Sequence, residues 1–210
     1  EVRYISCGTG SYVLDVWKME ELYACSMPEE LGKAAYRAAA KADCMVHLYT
    51  GLCVRHSRWC AEHLTDYMEE KMRPLMEKTH IVVDDLDAYV EQMHCPVFKL
   101  YITFPNRKEY DIAYEGVKDL PVFLTDGGWA VDLEVMSRDT DKGVALKALA
   151  ERLHIPREQV LAMGDSGNDC AMIRYAGIGA AMGNAGEQAK RIADVIAPSN
   201  REDGAAWMLR

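Results

Sequence analysis

The sequence predicts an α/β fold, in which a parallel sheet forms one domain and a separate α+β segment is inserted into it. Two observations lead to this prediction. From residue 142 onward, short apolar strands alternate strictly with helices, which is typical of βαβ units. In the middle of the chain, hairpin patterns are mixed with helices instead. We therefore predict a core made of residues 1–18 and 118–210, and an inserted domain at residues 19–117.

The first two thirds of the chain carry both the two-residue alternation of strands and the 3.6-residue period of helices. Two short β-like runs lie within residues 3–16, and residues 46–49 and 52–54 predict a hairpin that turns at Thr50-Gly51. Further strands are predicted at residues 81–83, 97–104, 122–124 and 130–135. Helices are predicted at residues 31–42, at 59–78 with an interruption at Pro74, and at 85–93.

The last third reads as regular β/α alternation. Strands are predicted at residues 160–163, 179–182 and 195–197, and helices at 142–153, 169–176, 185–193 and from about residue 203. Ligands of open parallel sheets bind at the carboxyl ends of the strands. The turn that follows residues 160–163 is therefore the best candidate for a ligand-binding site.

Composition excludes several classes of partner. The net charge is −9, which argues against nucleic acid, whose binding depends on Lys and Arg at phosphates. No apolar run approaches the ~20 residues that cross a bilayer, and the chain, which begins with Glu1, shows no signal peptide. The seven cysteines are odd in number and irregularly spaced, so reduced thiols and a cytoplasmic location are expected.

The turn Gly164-Asp-Ser-Gly-Asn-Asp169 concentrates oxygen ligands in a few residues. Asp165 is the best candidate for a direct Mg²⁺ ligand. Asp169 is expected to bind the metal through water or to orient a lysine, and Asn168 to donate to a phosphate oxygen. Lys142, at a helix start, is expected to supply the positive charge that phosphoryl transfer requires. Helix capping explains one such polar residue well, but not three in five positions.

These residues resemble the C-terminal signature of the haloacid dehalogenase superfamily, and within it the Cof-type phosphatases with a large α+β cap (subfamily IIB). The resemblance extends over essentially the whole chain. It includes the lysine motif Asp141-Lys-Gly143 and a cap strand at Cys95-Pro-Val-Phe-Lys99. It also includes, beyond the turn, the segments Ala181-Met-Gly-Asn-Ala185 and Ser199-Asn200…Glu202-Asp-Gly204. Thr9-Gly10-Ser11 stands where the family usually has Asn-Gly-Ala.

The resemblance implies a haloacid-dehalogenase-like Rossmannoid core with an inserted α+β cap, and a Mg²⁺-dependent phosphatase of small phosphorylated metabolites. It implies Lys142 as a catalytic residue, Lys142 and Asn168 as phosphate binders, and Asp165 and Asp169 at the metal. It also implies an aspartyl nucleophile with a second Asp two residues later, in an Asp-x-Asp-Gly-Thr motif near the N-terminus.

That motif does not precede Arg3, so the core is expected to be incomplete at its N-terminus and this chain to lack turnover. An incomplete sheet exposes strand edges, and the chain is therefore expected to be poorly stable or to depend on dimerisation, so a homodimer is a candidate assembly. The alternative is a non-catalytic protein of the same fold that binds a phosphorylated ligand or a partner.

Two further patterns imitate functional motifs. Asp85-x-Asp87 follows an apolar run as the nucleophile motif would, but Ala88 and Tyr89 replace its Gly and Thr. A helix N-cap at Asp84 or Asp85 explains it more simply. Spacing would place Cys53, His56, Cys60 and His63 on one helix face, but four ligands on a straight helix cannot surround one Zn²⁺. We interpret them as core thiols with partly exposed histidines.

Overall fold

The computed structural model describes residues 2–67, 69–126 and 131–209, with the backbone alone of Met72. The strands in these ranges are β1 (Tyr4–Cys7), β2 (Tyr12–Asp15), β3 (Glu20–Ala24), β4 (Met45–Thr50), β5 (Cys53–Ser57), β6 (His80–Val83), β7 (Lys99–Thr103), β8 (Val122–Thr125), β9 (Asp132–Ser137), β10 (Leu161–Gly164), β11 (Ile178–Ala181) and β12 (Val195–Ile196). The α-helices are α1 (Glu29–Ala39), α2 (Arg58–Glu62), α3 (Leu64–Tyr67), α4 (Arg73–Thr79), α5 (Leu86–Gln92), α6 (Arg107–Val117), α7 (Lys142–Arg152), α8 (Cys170–Tyr175), α9 (Glu187–Ile192) and α10 (Gly204–Met208).

The chain divides into two compact units. The first contains Glu1–Cys25 and Thr140–Arg210, and the second contains Ser26–Asp139. Boundaries had been predicted at residues 18 and 118. The units differ from these because β3 pairs with β2, and because β8 and β9 extend the sheet of the second unit through β7. The assignment of the units as core and cap stays a prediction.

The first unit carries the parallel sheet. Strands β10, β11 and β12 lie side by side in chain order, all parallel, with α8 and α9 as their connections. Small buried side chains of β11 and α9 pack with Ile173 of α8 in the core of this sheet. At the start of α7, Gly143 lies against α8, where a Cβ would come within 2.7 Å of the Ala171 carbonyl. An antiparallel meander, β1-β2-β3, belongs to the same unit.

The second unit is built on a six-stranded sheet with the order β6-β5-β4-β7-β9-β8. Alternate residues of β4, β7 and β9 join α1, α5 and α6 in one apolar core, as expected for a sheet with helices on one face. The residues between them put polar side chains on the opposite face. Among these, Lys99 and Glu134 form a buried ion pair (2.7 Å between Nζ and Oε1).

The predicted α/β class is confirmed, with three local differences. Residues 59–78 form α2, α3, a 3₁₀ turn and α4, and Pro74 lies in the first turn of α4, where its missing N–H costs no hydrogen bond. Strand β3 and helix α6 had not been predicted. The predicted strand at 130–135 starts at a residue outside the described ranges. In the described residues, no helix has the length and apolar composition needed to cross a bilayer.

Candidate functional site

The loops that follow the three parallel strands of the first unit lie at one edge of its sheet. Strand β10 ends at Gly164 and leads into the turn 165–169, β11 leads into residues 182–186, and β12 into the turn at Asn200–Glu202. Backbone hydrogen bonds join these loops, from Met182 N to Gly164 O (2.9 Å) and from Gly186 N to Asp165 O (3.1 Å). This edge is where open parallel sheets bind ligands.

Lys142 reaches the turn from the first position of α7. Asp141 caps that helix, since its Oδ1 accepts a hydrogen bond from Val144 N (2.6 Å). The ammonium of Lys142 donates to Oδ1 of Asn168 (3.0 Å) and to Oδ1 of Asp169 (2.5 Å). The structure thus brings together three of the four predicted site residues, and about a third of the Lys142 side chain stays exposed.

Asp169 is the buried anchor of this arrangement, with 4% of its surface exposed. Its Oδ2 accepts hydrogen bonds from the backbone N–H groups of Asp165 (2.9 Å) and Ser166 (3.0 Å), while Oδ1 faces Lys142. Burial acts to raise the pKa of Asp169, but the bonds from Lys142 and the two N–H groups outweigh it and hold the pKa below its usual value. Both oxygens of Asp169 therefore accept hydrogen bonds within the turn and from Lys142.

Ser166 completes the turn and had not been predicted as a site residue. Its hydroxyl lies 2.7 Å from Oδ1 of Asn168 and 3.0 Å from Oδ2 of Asp169. Ser166 and Asp169 form a capping box, and the Ser-x-x-Asp spacing was the available sequence signal. Because Ser166 and Lys142 both face Oδ1 of Asn168, the amide nitrogen of Asn168 points elsewhere and makes no hydrogen bond with a described residue.

Asp165 lies apart from the Lys142 contacts and is exposed. Its Oδ2 accepts a hydrogen bond from Nδ2 of Asn184 (3.0 Å). Its Oδ1 accepts no hydrogen bond from a described residue. One carboxylate oxygen is thus oriented and the other is available to a cation. The motif containing Asn184 was recognised in the sequence, but its contact with Asp165 was not.

The Asp85-x-Asp87 motif of the second unit, which imitates the nucleophile motif, has a structural role. Asp85 is the N-cap of α5, where its Oδ1 accepts a hydrogen bond from Ala88 N (2.9 Å). Asp87 accepts one from the hydroxyl of Tyr36 (2.8 Å), and Asp84 pairs with Arg58. The helix-cap interpretation is confirmed.

The Cys/His pattern does not form a site either. Cys53 and His56 lie on β5 and Cys60 on α2, and no group of three or more His, Cys, Asp or Glu side chains within the described ranges is arranged to hold a metal ion. Instead, the ring of His56 lies among those of His47 and His80, with centroids 5.1–5.4 Å apart. This histidine cluster (His47, His56 and His80) had not been predicted.

Gly164→Ala tests whether the turn depends on close packing at Asp169. An added Cβ would lie 2.3 Å from Asp169 Cβ and 2.6 Å from its Oδ2, so the carboxylate must shift away from the N–H groups that hold it. We expect a loss of about 1–3 kcal/mol in unfolding free energy, as for other overpacked sites, measured by urea denaturation. Gly186→Ala is the control, because nothing lies within 4 Å of its Cβ position. Equal stabilities of the two variants would contradict the prediction.

Comparison with known proteins identifies the family of the chain. The family model described as haloacid dehalogenase-like hydrolase matches residues 1–209. The phosphatase YwpJ of Bacillus subtilis is 49% identical over 79 residues, which cover 38% of this chain and 28% of that protein. A phosphoglycolate phosphatase of Archaeoglobus fulgidus is 40% identical over 106 residues, which cover 50% of this chain and 47% of that protein. The chain therefore matches less than half the length of these relatives.

A solved structure resembles the whole chain. The haloacid dehalogenase-like hydrolase from Bacteroides thetaiotaomicron superposes with a TM-score of 0.80 and 25% identity, covering 98% of this chain and 75% of that one. The resemblance that had been inferred from the C-terminal motifs thus extends to the fold of nearly the whole chain.

Proposed function

The chain belongs to the haloacid dehalogenase-like hydrolases, and from this premise we propose that the protein is a Mg²⁺-dependent phosphatase of small phosphorylated metabolites. The single observation that supports the proposal best is the placement of the Lys142 ammonium. It is fixed by Asp169 and Asn168 (2.5 and 3.0 Å) and is partly exposed, in the same turn region as Asp165 at the ligand-binding edge of a parallel sheet.

The donor set around Asp165 fits a magnesium ion. Mg²⁺ is bound through one or two carboxylates and keeps several waters and substrate phosphate oxygens as its other ligands. It therefore needs no ready-made cluster of three acidic side chains, and none exists in the described ranges. Asp165 offers a hard oxygen, Oδ1, that accepts no hydrogen bond from a described residue. When bound there, Mg²⁺ would neutralise charge on the phosphoryl group.

The described side chains then have distinct tasks. Lys142 places a positive charge against the non-bridging phosphate oxygens, and Asn168 can donate from its amide nitrogen without adding charge. Asp169 holds the ammonium in position. Its carboxylate is itself fixed by two backbone N–H groups, so Lys142 is pre-oriented before the substrate arrives. The family resemblance implies that the nucleophile belongs to an Asp-x-Asp-Gly-Thr motif.

The substrate class is supported by charge and by the relatives. Known relatives include phosphoglycolate phosphatases and a 5-amino-6-(5-phospho-D-ribitylamino)uracil phosphatase, all named for small phosphomonoesters. A chain with a net charge of −9 is a poor match for a nucleic acid.

The test is a phosphate-release assay of the product of the whole gene against a panel of small phosphomonoesters. Turnover is expected with Mg²⁺, with strong loss in EDTA and in Asp165→Ala. The Asp85-x-Asp87 motif provides the control, since Asp85→Asn is expected to keep turnover. Binding of phosphoesters without any phosphate release would contradict the proposal and favour the non-catalytic alternative.

A further inference from the structure

Asn184 connects the candidate metal ligand to the last loop of the sheet. It lies in the turn after β11, and its side chain makes one contact on each side of the amide. Nδ2 donates to Oδ2 of Asp165 (3.0 Å), and Oδ1 accepts from the backbone N–H of Asn200 (2.9 Å). The two contacts span residues that are 35 positions apart in sequence.

The backbone N–H of Asn200 fixes which way the amide faces. An N–H group can only donate, so it must meet the oxygen of Asn184 and not the nitrogen. The nitrogen is then left facing Asp165, whose carboxylate can only accept. Rotating the amide by 180° would oppose donor to donor and acceptor to acceptor, so the arrangement has one satisfactory orientation.

The loop that carries this N–H is itself well defined. Ser199 and Glu202 form a capping box around the 3₁₀ turn, with Ser199 N 3.1 Å from Oε2 of Glu202. Gly204 N donates to Ser199 O (3.1 Å), and Gly183 N to Pro198 O (3.2 Å). The second of these bonds ties the loop to the residue next to Asn184.

We propose that Asn184 is a positioning residue that orients the Asp165 carboxylate for Mg²⁺, with the turn at Asn200 as its support. The inference rests on the proposed function and adds a residue to it. Asn184 donates to Oδ2 of Asp165 with a neutral group, so Oδ1 would be the oxygen that holds a cation. A lysine in this place would neutralise the ligand and repel the metal, whereas an amide orients it at no cost in charge.

The expected effect is a change in metal affinity. Removing a side chain that orients a metal ligand typically weakens metal binding or activity by 10–100-fold. We therefore expect Asn184→Ala to raise the Mg²⁺ dissociation constant by about 10–100-fold, measured by isothermal titration calorimetry on the whole gene product. Activity lost at low Mg²⁺ should return at saturating Mg²⁺, which a merely structural role would not produce.

Asn200→Pro, which removes the backbone N–H of Asn200, tests the contribution of this turn separately. Asn200 is the first residue of its 3₁₀ turn, and Ser199 before it is extended (φ −67°, ψ 167°), so proline is tolerated there while its N–H is lost. Asn200→Pro is therefore expected to weaken Mg²⁺ binding in the same direction as Asn184→Ala. Asn200→Ala keeps the N–H and is expected to bind Mg²⁺ as the wild type does.

A matched control excludes a general loss of stability. Asn106 is the N-cap of α6 in the second unit, where its Oδ1 accepts from Glu109 N (3.1 Å). Asn106→Ala removes a comparable contact and should lower the melting temperature without changing Mg²⁺ affinity. Wild-type affinity in both Asn184→Ala and Asn200→Pro would overturn the inference and leave the proposed function standing. A wild type that neither binds Mg²⁺ nor releases phosphate would overturn the proposed function itself.

Discussion

Lys142→Met in the whole gene product is expected to lower kcat by about 10²–10³-fold, the usual effect of losing one electrostatic contact to the transition state. Methionine keeps the unbranched apolar stem of lysine and removes the terminal ammonium with its charge and its hydrogen bonds. The ammonium that would face the phosphate oxygens, and that contacts Asp169 and Asn168 (2.5 and 3.0 Å), is lost.

The same substitution should also destabilise the first unit. Asp169 is buried and loses its positive partner, and an unpaired buried carboxylate costs roughly 3–5 kcal/mol. We expect a loss nearer 2–3 kcal/mol, because the N–H groups of Asp165 and Ser166 still stabilise the charge. In the wild type, the hydrogen bond and the charge of Lys142 help to hold the pKa of Asp169 below its usual value against the effect of burial. Because both are lost in the variant, the pKa of Asp169 should rise.

The double variant Lys142→Met/Asp169→Asn separates the two effects. Removing both charges should restore part of the stability in urea denaturation, because no unpaired carboxylate remains buried, but it should not restore kcat. If Lys142→Met retains more than a tenth of wild-type kcat, the ammonium does not act on the phosphate. If the double variant is less stable than Lys142→Met, the unpaired carboxylate of Asp169 is not the cause of the lost stability.

The site turn could be predicted from the sequence because its residues are close together in the chain. Asp165, Asn168 and Asp169 share one turn after an apolar strand, and a capping alternative could be judged from spacing alone. Lys142 is 26 residues from Asn168. Its place at a helix start and the charge that phosphoryl transfer requires suggested its role, and the family resemblance supported it, but spacing alone could not give the contact. The hairpin at Thr50-Gly51 was also a local signal, and it is confirmed by the pairing of Leu48 with Arg55.

Features that depend on register or on distant loops could not be predicted. Asn184 contacts Asp165 only because β11 lies next to β10, and its amide orientation is set by a loop after β12. Helix α6 was missed although Asn106 and Glu109 offered a capping signal, because its apolar face is narrow. The histidine cluster requires β6, β5 and β4 to be adjacent, and residues 47, 56 and 80 show no common period.

The histidine cluster predicts a steep loss of stability in acid. His47 is fully buried, and neither of its ring nitrogens has a hydrogen-bond partner among the described residues. Nδ1 of His56 and Nε2 of His80 are also buried without a partner in that part of the chain. Burial lowers the pKa of all three rings, to about 4 for His80 and well below 6.5 for His47, where the neighbouring rings and the Lys99 ammonium add to it. That ammonium is itself paired with Glu134.

The direction in which stability changes with pH follows from the lowered pKa values of these histidines. In the unfolded chain a histidine titrates near pH 6.5, so below this pH the unfolded state binds protons that the folded state resists. Stability is therefore complete above about pH 6.5 and falls as the pH is lowered. For His80 the fall continues to about pH 4, which amounts to about 3 kcal/mol at ~1.4 kcal/mol per pKa unit. His47 adds a further loss over the same range.

This loss is measured as the free energy of unfolding of the second unit, obtained by urea denaturation at several pH values between 7 and 4.5. His47→Phe keeps an aromatic ring against Tyr101 and removes both unpartnered nitrogens, so its stability should fall with a slope smaller by about one proton, ~1.4 kcal/mol per pH unit. His63→Phe is the matched control for the loss of an imidazole, because His63 stacks on Trp59 outside the cluster, and this variant should keep the acid loss that the cluster causes. If His47→Phe is as acid-sensitive as the wild type, the cluster is already protonated or hydrated in the folded protein, and the acid loss must come from the carboxylates instead.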